Sequence, residues 1–104
     1  AVRYLRSIGY KVIERNVRVG RLKEIDIIVW DPVDAVFVFV EVKSRSTENA
    51  YAPSLNMTYK KKKTLRDAMR RWIAQKEWEK GYRLDLIFVV DGCLDQHIKE
   101  VEWH

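Results

Sequence analysis

Asp26 interrupts the apolar run Ile25-Asp26-Ile27-Ile28-Val29, and Glu41 and Lys43 interrupt a second one, Phe37-Val38-Phe39-Val40-Glu41-Val42-Lys43. Side chains two apart on a strand share a face, so Glu41 and Lys43 stand together, in line with Phe39 and Phe37. Asp26 likewise shares a face with Glu24 and Ile28. If the two strands are antiparallel neighbours, Asp26 meets Glu41 and Lys43 across the ladder. Two carboxylates at about 4 Å and an effective dielectric near 20 repel by roughly 4 kcal/mol. A divalent cation removes that repulsion, and magnesium characteristically takes one or two carboxylates together with phosphate oxygens and water. Held there, it acidifies a water and stabilises charge on a phosphate under attack, while Lys43 orients the water or neutralises that charge. The pattern points to a metal-dependent phosphodiesterase, with magnesium or manganese as cofactor. The plainer reading is an exposed edge pair and a solvated turn acid. It is disfavoured because each acid breaks an apolar run instead of alternating with other polar residues.

The elements that must carry these residues follow from the spacing. Residues 1–8 place Ala1, Tyr4, Leu5 and Ile8 on one helical side, and Gly9 stops the helix. The chain opens inside this pattern, which predicts a first helix that starts upstream of Ala1. Residues 10–17, 24–30 and 36–43 read as three strands, the third buried on both faces. A polar stretch over 44–56, long enough for a lid, is followed by Thr58 as a helix cap. Leu65, Ala68, Met69, Trp72 and Ile73 then fall at helical spacing, predicting a helix to about Trp78 with Gly81 as its stop. A buried strand over 84–90, an Asp91-Gly92 turn and a more exposed strand over 96–103 complete the chain. The expectation is an α/β domain, a mixed central sheet flanked by helices in the order α-β-β-β-α-β-β. At 104 residues there is room for one core and not for two.

With these stretches in hand a resemblance is plain. Gly9-Tyr10 with Arg15-Asn16, then Glu24-Ile25-Asp26-Ile27-Ile28, then Phe37 to Lys43 with Arg45, resembles the YraN-like family of bacterial proteins. Lys61, Leu65, Ala68, Trp72 and His97-Ile98 match as well. That family is grouped with the PD-(D/E)xK nuclease superfamily, near the Holliday-junction resolvases, which implies a restriction-endonuclease-like fold. The resemblance makes Asp26 and Glu41 the metal ligands and Lys43 the motif lysine. It also implies a further Glu on the first helix, in a Gly-Glu pair upstream of Ala1. Lys23 stands where the family carries a Gly before Glu-Ile-Asp, and Lys62 where relatives often carry Gln. By the same analogy the substrate is DNA, branched in the case of the resolvases, and the enzyme works as a homodimer.

The basic residues supply a second feature. Lys60, Lys61, Lys62 and Lys63, continued by Arg66, Arg70 and Arg71, are interrupted by a single acid, Asp67. A solvated helix face usually mixes signs, and four lysines at a helix start oppose its dipole, so a phosphate-binding face is expected. Arg45 follows the catalytic strand and is a further phosphate contact. Glu24 orients Lys43 or a water on the metal, or else pairs with an arginine at the sheet end. Tyr51 and Tyr59 are candidate base-stacking residues, whereas Trp72 lies in the helical apolar stripe. His97 and His104 lack metal-ligand spacing, and a structural hydrogen bond is expected of His97. Cys93 is the only cysteine, so there is no internal disulfide.

A net charge of +5 suits a polyanionic partner but is shared by many proteins, so the argument rests on where the charge lies. There is no signal peptide and no apolar run of membrane length, and with a free thiol this predicts a cytoplasmic protein. Two rivals to an endonuclease fit the same residues: a nucleic-acid-binding module of the same fold without turnover, and a protein–protein interaction domain with a basic helix.

Overall fold

The computed structural model describes residues 1–20, 24–45 and 59–101. Its elements are α1 (Val2–Ser7), β1 (Lys11–Val17), β2 (Ile25–Asp31), β3 (Val36–Arg45), α2 (Tyr59–Gln75), β4 (Tyr82–Val90) and β5 (Cys93–Ile98), in the order the spacing predicts. The strands lie in sequence order in a five-stranded mixed sheet. All neighbours are antiparallel except β3 and β4, which run parallel. Parallel neighbours need a crossover, and α2 lies in this one.

The sheet is covered on both faces, which is why β3 and β4 are nearly continuous apolar runs. On one face Leu65, Met69 and Trp72 of α2 pack with Ile28, Phe39 and Leu84. On the other, Leu5 of α1 and Tyr10 pack with Ile27, Val29, Val38, Val40 and Ile87. Alternation along β3 is strict: Phe39 belongs to the α2 side, and Val38 and Val40 to the α1 side. A bulge between Val12 and Glu14 shifts β1, so Val12 stands opposite Val29 of the α1 side and Glu14, two residues on, opposite Ile28 of the α2 side.

Several boundaries differ from the sequence expectation. The second helix ends at Gln75 and not near Trp78, because Glu77 turns left-handed at φ 54°. The amides of Trp78 and Glu77 then donate to the carbonyls of Ile73 and Ala74 at 3.2 and 3.1 Å, which closes the last turn well before Gly81. The last strand begins at Cys93, directly after Asp91-Gly92. Both turn residues have positive φ, 49° and 79°, as a two-residue hairpin turn requires. Lys23, the 46–56 part of the polar stretch, Thr58 and residues 102–104, with His104, lie outside the described residues. Among the described residues no helix is long and apolar enough to cross a membrane.

Candidate active site

β2 and β3 are antiparallel neighbours, with Ile27 facing Val40 and Ile28 facing Phe39. The ladder stops at Ile27, one residue short of Asp26 opposite Glu41. β3 continues beside β4 as far as Arg45 and Val90, and β1 stays with β2 as far as Val17 and Ile25. The sheet therefore forks between β2 and β3, and the candidate residues stand on the two sides of the fork. Oδ2 of Asp26 accepts the N–H of Val42 at 2.8 Å, replacing the strand carbonyl that the ladder no longer supplies. Its carboxylate thus lies against the backbone between Glu41 and Lys43.

Glu41 is buried, 5% exposed, and its Oε1 lies 3.9 Å from Nζ of Lys43. The lysine side chain is a third exposed, so its charge reaches solvent while the acid does not. Both share the α2-side face of β3 with Phe39. A groove of about 470 Å³ opens at the fork, with Arg3, Arg15, Asn16, Asp26, Val42 and Ser44 in its walls. Glu41 and Lys43 are not among its lining residues. The structure gathers Glu41 with Lys43 side chain to side chain, and brings Asp26 to the same stretch of β3 through a backbone amide. Asp26 thus has a partner in the Val42 amide.

Glu24, half-buried before β2, makes no hydrogen bond or ion pair with Lys43 or Asp26 among the described residues. The lysine's acidic neighbour is Glu41. Along α2, Lys63 and Arg70 are exposed while Lys62 and Arg66 are half-buried. Lys60 and Lys61 fall within α2 and Arg45 ends β3, but the positions of their side chains lie outside the described residues. Trp30 and Trp78 pack edge-to-face on Phe37.

A third acid interrupts an apolar run, in Leu84-Asp85-Leu86-Ile87-Phe88, where the spacing alone marks only a buried strand. Asp85 is fully buried. It accepts hydrogen bonds from Nε of Arg83 at 3.0 Å, from the amide of Glu100 at 3.0 Å and from Nε2 of His97 at 2.8 Å. Nδ1 of His97 meets the Tyr4 hydroxyl at 2.8 Å. Arg83 also reaches Asp31 at 3.0 Å and Asp34 at 2.9 Å, and donates to the Tyr10 hydroxyl at 2.7 Å. Burial pushes the Asp85 carboxyl up, but the His97 bond, the Glu100 amide and Arg83 outweigh it and hold its pKa below the ordinary 3.8. Asp31, read as a turn marker, is held below 3.8 in the same way, burial being outweighed by the amides of Val33 and Asp34 and by Arg83. Arg83-x-Asp85 repeats the two-residue spacing of Glu41-x-Lys43, but its donors are already spent within the protein. An acid satisfied by three donors is structural, and that distinction separates Asp85 from Asp26, which accepts the Val42 amide.

Comparison with known proteins bears on the whole of this arrangement. A profile described as "Uncharacterised protein family UPF0102" matches residues 1–89. The chain belongs to UPF0102. A UPF0102 protein of Desulforamulus reducens is 38% identical over 107 residues, spanning 98% of this chain and 85% of the relative. One from Sulfurihydrogenibium sp. is 42% identical over 88 residues, 84% of this chain and 74% of the relative. UPF0102 is the YraN-like family that the strand motifs resemble. The UPF0102 match includes Asp26, Glu41, Lys43, Arg83 and Asp85, and ends before His97.

Proposed function

We propose that this UPF0102 chain is a metal-dependent endonuclease that hydrolyses DNA phosphodiesters. The observation that carries the reading is the fork: a buried Glu41 beside Lys43, with Asp26 fixed to the amide between them. Among the described residues no group of three His, Cys, Asp or Glu side chains gathers, and the donors of this proposal are Asp26 and Glu41. Two carboxylates without imidazole or thiolate suit a hard cation that keeps several waters and shares substrate phosphate oxygens. The residues fit magnesium or manganese, which when bound supplies Lewis acidity and charge neutralisation.

This chain's own groups then have distinct tasks. The Val42 amide fixes the orientation of Asp26. Lys43 brings an ammonium to the strand where phosphate charge grows, and the buried Glu41 keeps that ammonium close. Lys63 and Arg70 are exposed on α2 to meet further phosphates. The likeness to the resolvases extends the proposal to branched DNA and a homodimer, since a junction offers paired scissile sites.

The test is cleavage of supercoiled, nicked and four-way DNA with and without magnesium. Cleavage is expected to require the metal and to fall about 100-fold or more in Lys43→Ala. Binding without cleavage under any metal makes the chain a nucleic-acid-binding module, and neither binding nor metal response makes it an interaction domain.

A further inference from the structure

The last row of the sheet before the fork, on the α2 side, is Glu14, Ile28, Phe39 and Leu84, one residue from each of β1 to β4. Glu14 stands in it because of the β1 bulge. In an unbroken ladder from Val12 opposite Val29 it would face Ile27, on the α1 side. Trp72 packs over this row. Its ring meets Phe37 and Phe39 of β3 edge-to-face, at centroid separations of 5.0 and 5.6 Å, and its Nε1–H donates to Oε1 of Glu14 at 3.3 Å. An indole only donates, and a buried one needs an acceptor. Trp72 is 2% exposed, and among the described residues Glu14 is that acceptor. Nζ of Lys76, one turn along α2, lies 3.6 Å from the same oxygen and 5.3 Å from the centre of the Trp72 ring. A single side chain of α2 thus joins both sides of the fork at its root. It touches β3 two residues before Glu41, and it holds β1, whose partner β2 carries Asp26.

Beyond the root, the end of the β1–β2 hairpin follows α2 and not β3. Ile27 packs on the α1 side, but Ile25 joins Val17 and Val19 in the cluster with Met69, Trp72 and Ile73. At Gly20, with φ 61°, a Cβ would stand 2.9 Å from Nη1 of Arg71, so the turn lies against that side chain of the helix. Past the ladder the hairpin meets β3 through the hydrogen bond of Asp26 with the Val42 amide. We infer that Trp72 and Glu14 are positioning residues that brace the fork and set where Asp26 stands relative to Glu41 and Lys43. Among the described residues neither makes a hydrogen bond or ion pair with those three, so they act through the strands. The inference rests on the reading of the fork as a metal-dependent, phosphodiester-cutting site. Magnesium demands near-ideal octahedral geometry, so two carboxylates on strands free to part hold it poorly.

The experiment follows amide hydrogen exchange by NMR in chelator, and magnesium binding by calorimetry, with the full chain. Wild type is compared with Glu14→Ala, Glu14→Gln, Trp72→Phe and the control Tyr10→Phe. Glu14→Ala removes the acceptor, Glu14→Gln keeps an oxygen there, and Trp72→Phe keeps a ring on Phe37 and Phe39 without the N–H. The Glu14 side chain is 39% exposed, so its variants leave the core filled. Tyr10→Phe removes the hydroxyl bonded to Arg83, on the α1 face, and weakens the fold away from the brace. A global loss of stability speeds exchange of the β4 amides and of Val42 alike, whereas a fork that opens locally speeds Val42 ahead of them. The inference expects Val42 to exchange about tenfold faster relative to β4 in Glu14→Ala and Trp72→Phe, with a magnesium Kd about tenfold higher. Glu14→Gln and Tyr10→Phe are expected to stay near wild type in both. Val42 moving only in step with β4, or Glu14→Gln as open as Glu14→Ala, overturns it. A magnesium Kd shared by all five proteins also overturns it, and spares the metal site. Wild type that binds no magnesium, with Val42 responding as expected, sinks the metal reading of the fork while the brace stands.

Discussion

Replacing Asp26 separates its structural task from its proposed chemical one. The carboxylate accepts the Val42 amide at 2.8 Å, where the ladder between β2 and β3 has ended. Asp26→Ala leaves that amide without its acceptor, a loss of about 1.5–3 kcal/mol for a hydrogen bond to a charged group. Asp26→Asn keeps an oxygen in place and loses only the charge assistance. Its net cost is about 1 kcal/mol or less. In a domain of this size 1 kcal/mol moves the melting temperature by about 4–8 °C, so the two variants are distinguishable in chelator. Magnesium then divides wild type from both. A ligand at about a hundred times its Kd adds about 2.7 kcal/mol to the folded state, and that gain is expected for wild type and absent in Asp26→Asn. The assay is urea denaturation in EDTA and in magnesium. If Asp26→Asn loses more than about 3 kcal/mol in EDTA, the negative charge is structural. If it keeps the full magnesium gain, Asp26 is not a ligand, and the site as drawn is wrong.

Three further outcomes follow from the rest of the molecule. Asp85→Asn removes the charge from a fully buried acid, turns an amide N–H or a neutral oxygen toward His97 and leaves Arg83 only Asp31 and Asp34 as carboxylate partners, so a loss of about 3 kcal/mol is expected in urea melts. Acid should weaken the fold through Asp85 and Asp31: their folded pKa values lie below 3.8, so the unfolded chain takes up protons first. Their contribution is complete above about pH 4 and is lost as pH falls through the folded values, which denaturation midpoints measured between pH 7 and 2 will show. Glu77 holds φ 54° at the end of α2, so Glu77→Gly is expected to stabilise by about 1 kcal/mol, read as a rise in melting temperature.

The sequence made the strand pairing around Asp26 and Glu41 legible, because both acids break runs that otherwise fit a doubly covered sheet. It left the fork itself hidden. Where a ladder stops depends on how β1 and β2 curl away from β3 and β4, and no local pattern at Ile27 or Val40 encodes that. The same rule that singled out Asp26 applies to Asp85, yet only the fold reveals that His97, Arg83 and the Glu100 amide converge on it. Helix α2 was legible in its apolar stripe and not in its end, since an acidic residue, Glu77, takes the left-handed position where glycine is the common occupant. Strand alternation left the partner of Glu24 open between Lys43, a water on a metal and an arginine, and in the fold Lys43 lies beside Glu41, the acid two residues before it on its own strand.

The buried network around Asp85 also governs how the molecule comes apart. Its members arrive from α1 through Tyr4, from just before β1 through Tyr10, from the end of β2 through Asp31, and from β4 and β5. Asp85 lies opposite Val40 at the seam between β3 and β4, the one pairing in the sheet that is distant along the chain. If a single one of these pieces lifts away, a charged or polar group loses its counterpart in dry surroundings, at a cost far above that of fraying a helix end. The first helix is thereby tied to the all-or-none melting of the sheet, and its Arg3 stays beside the fork.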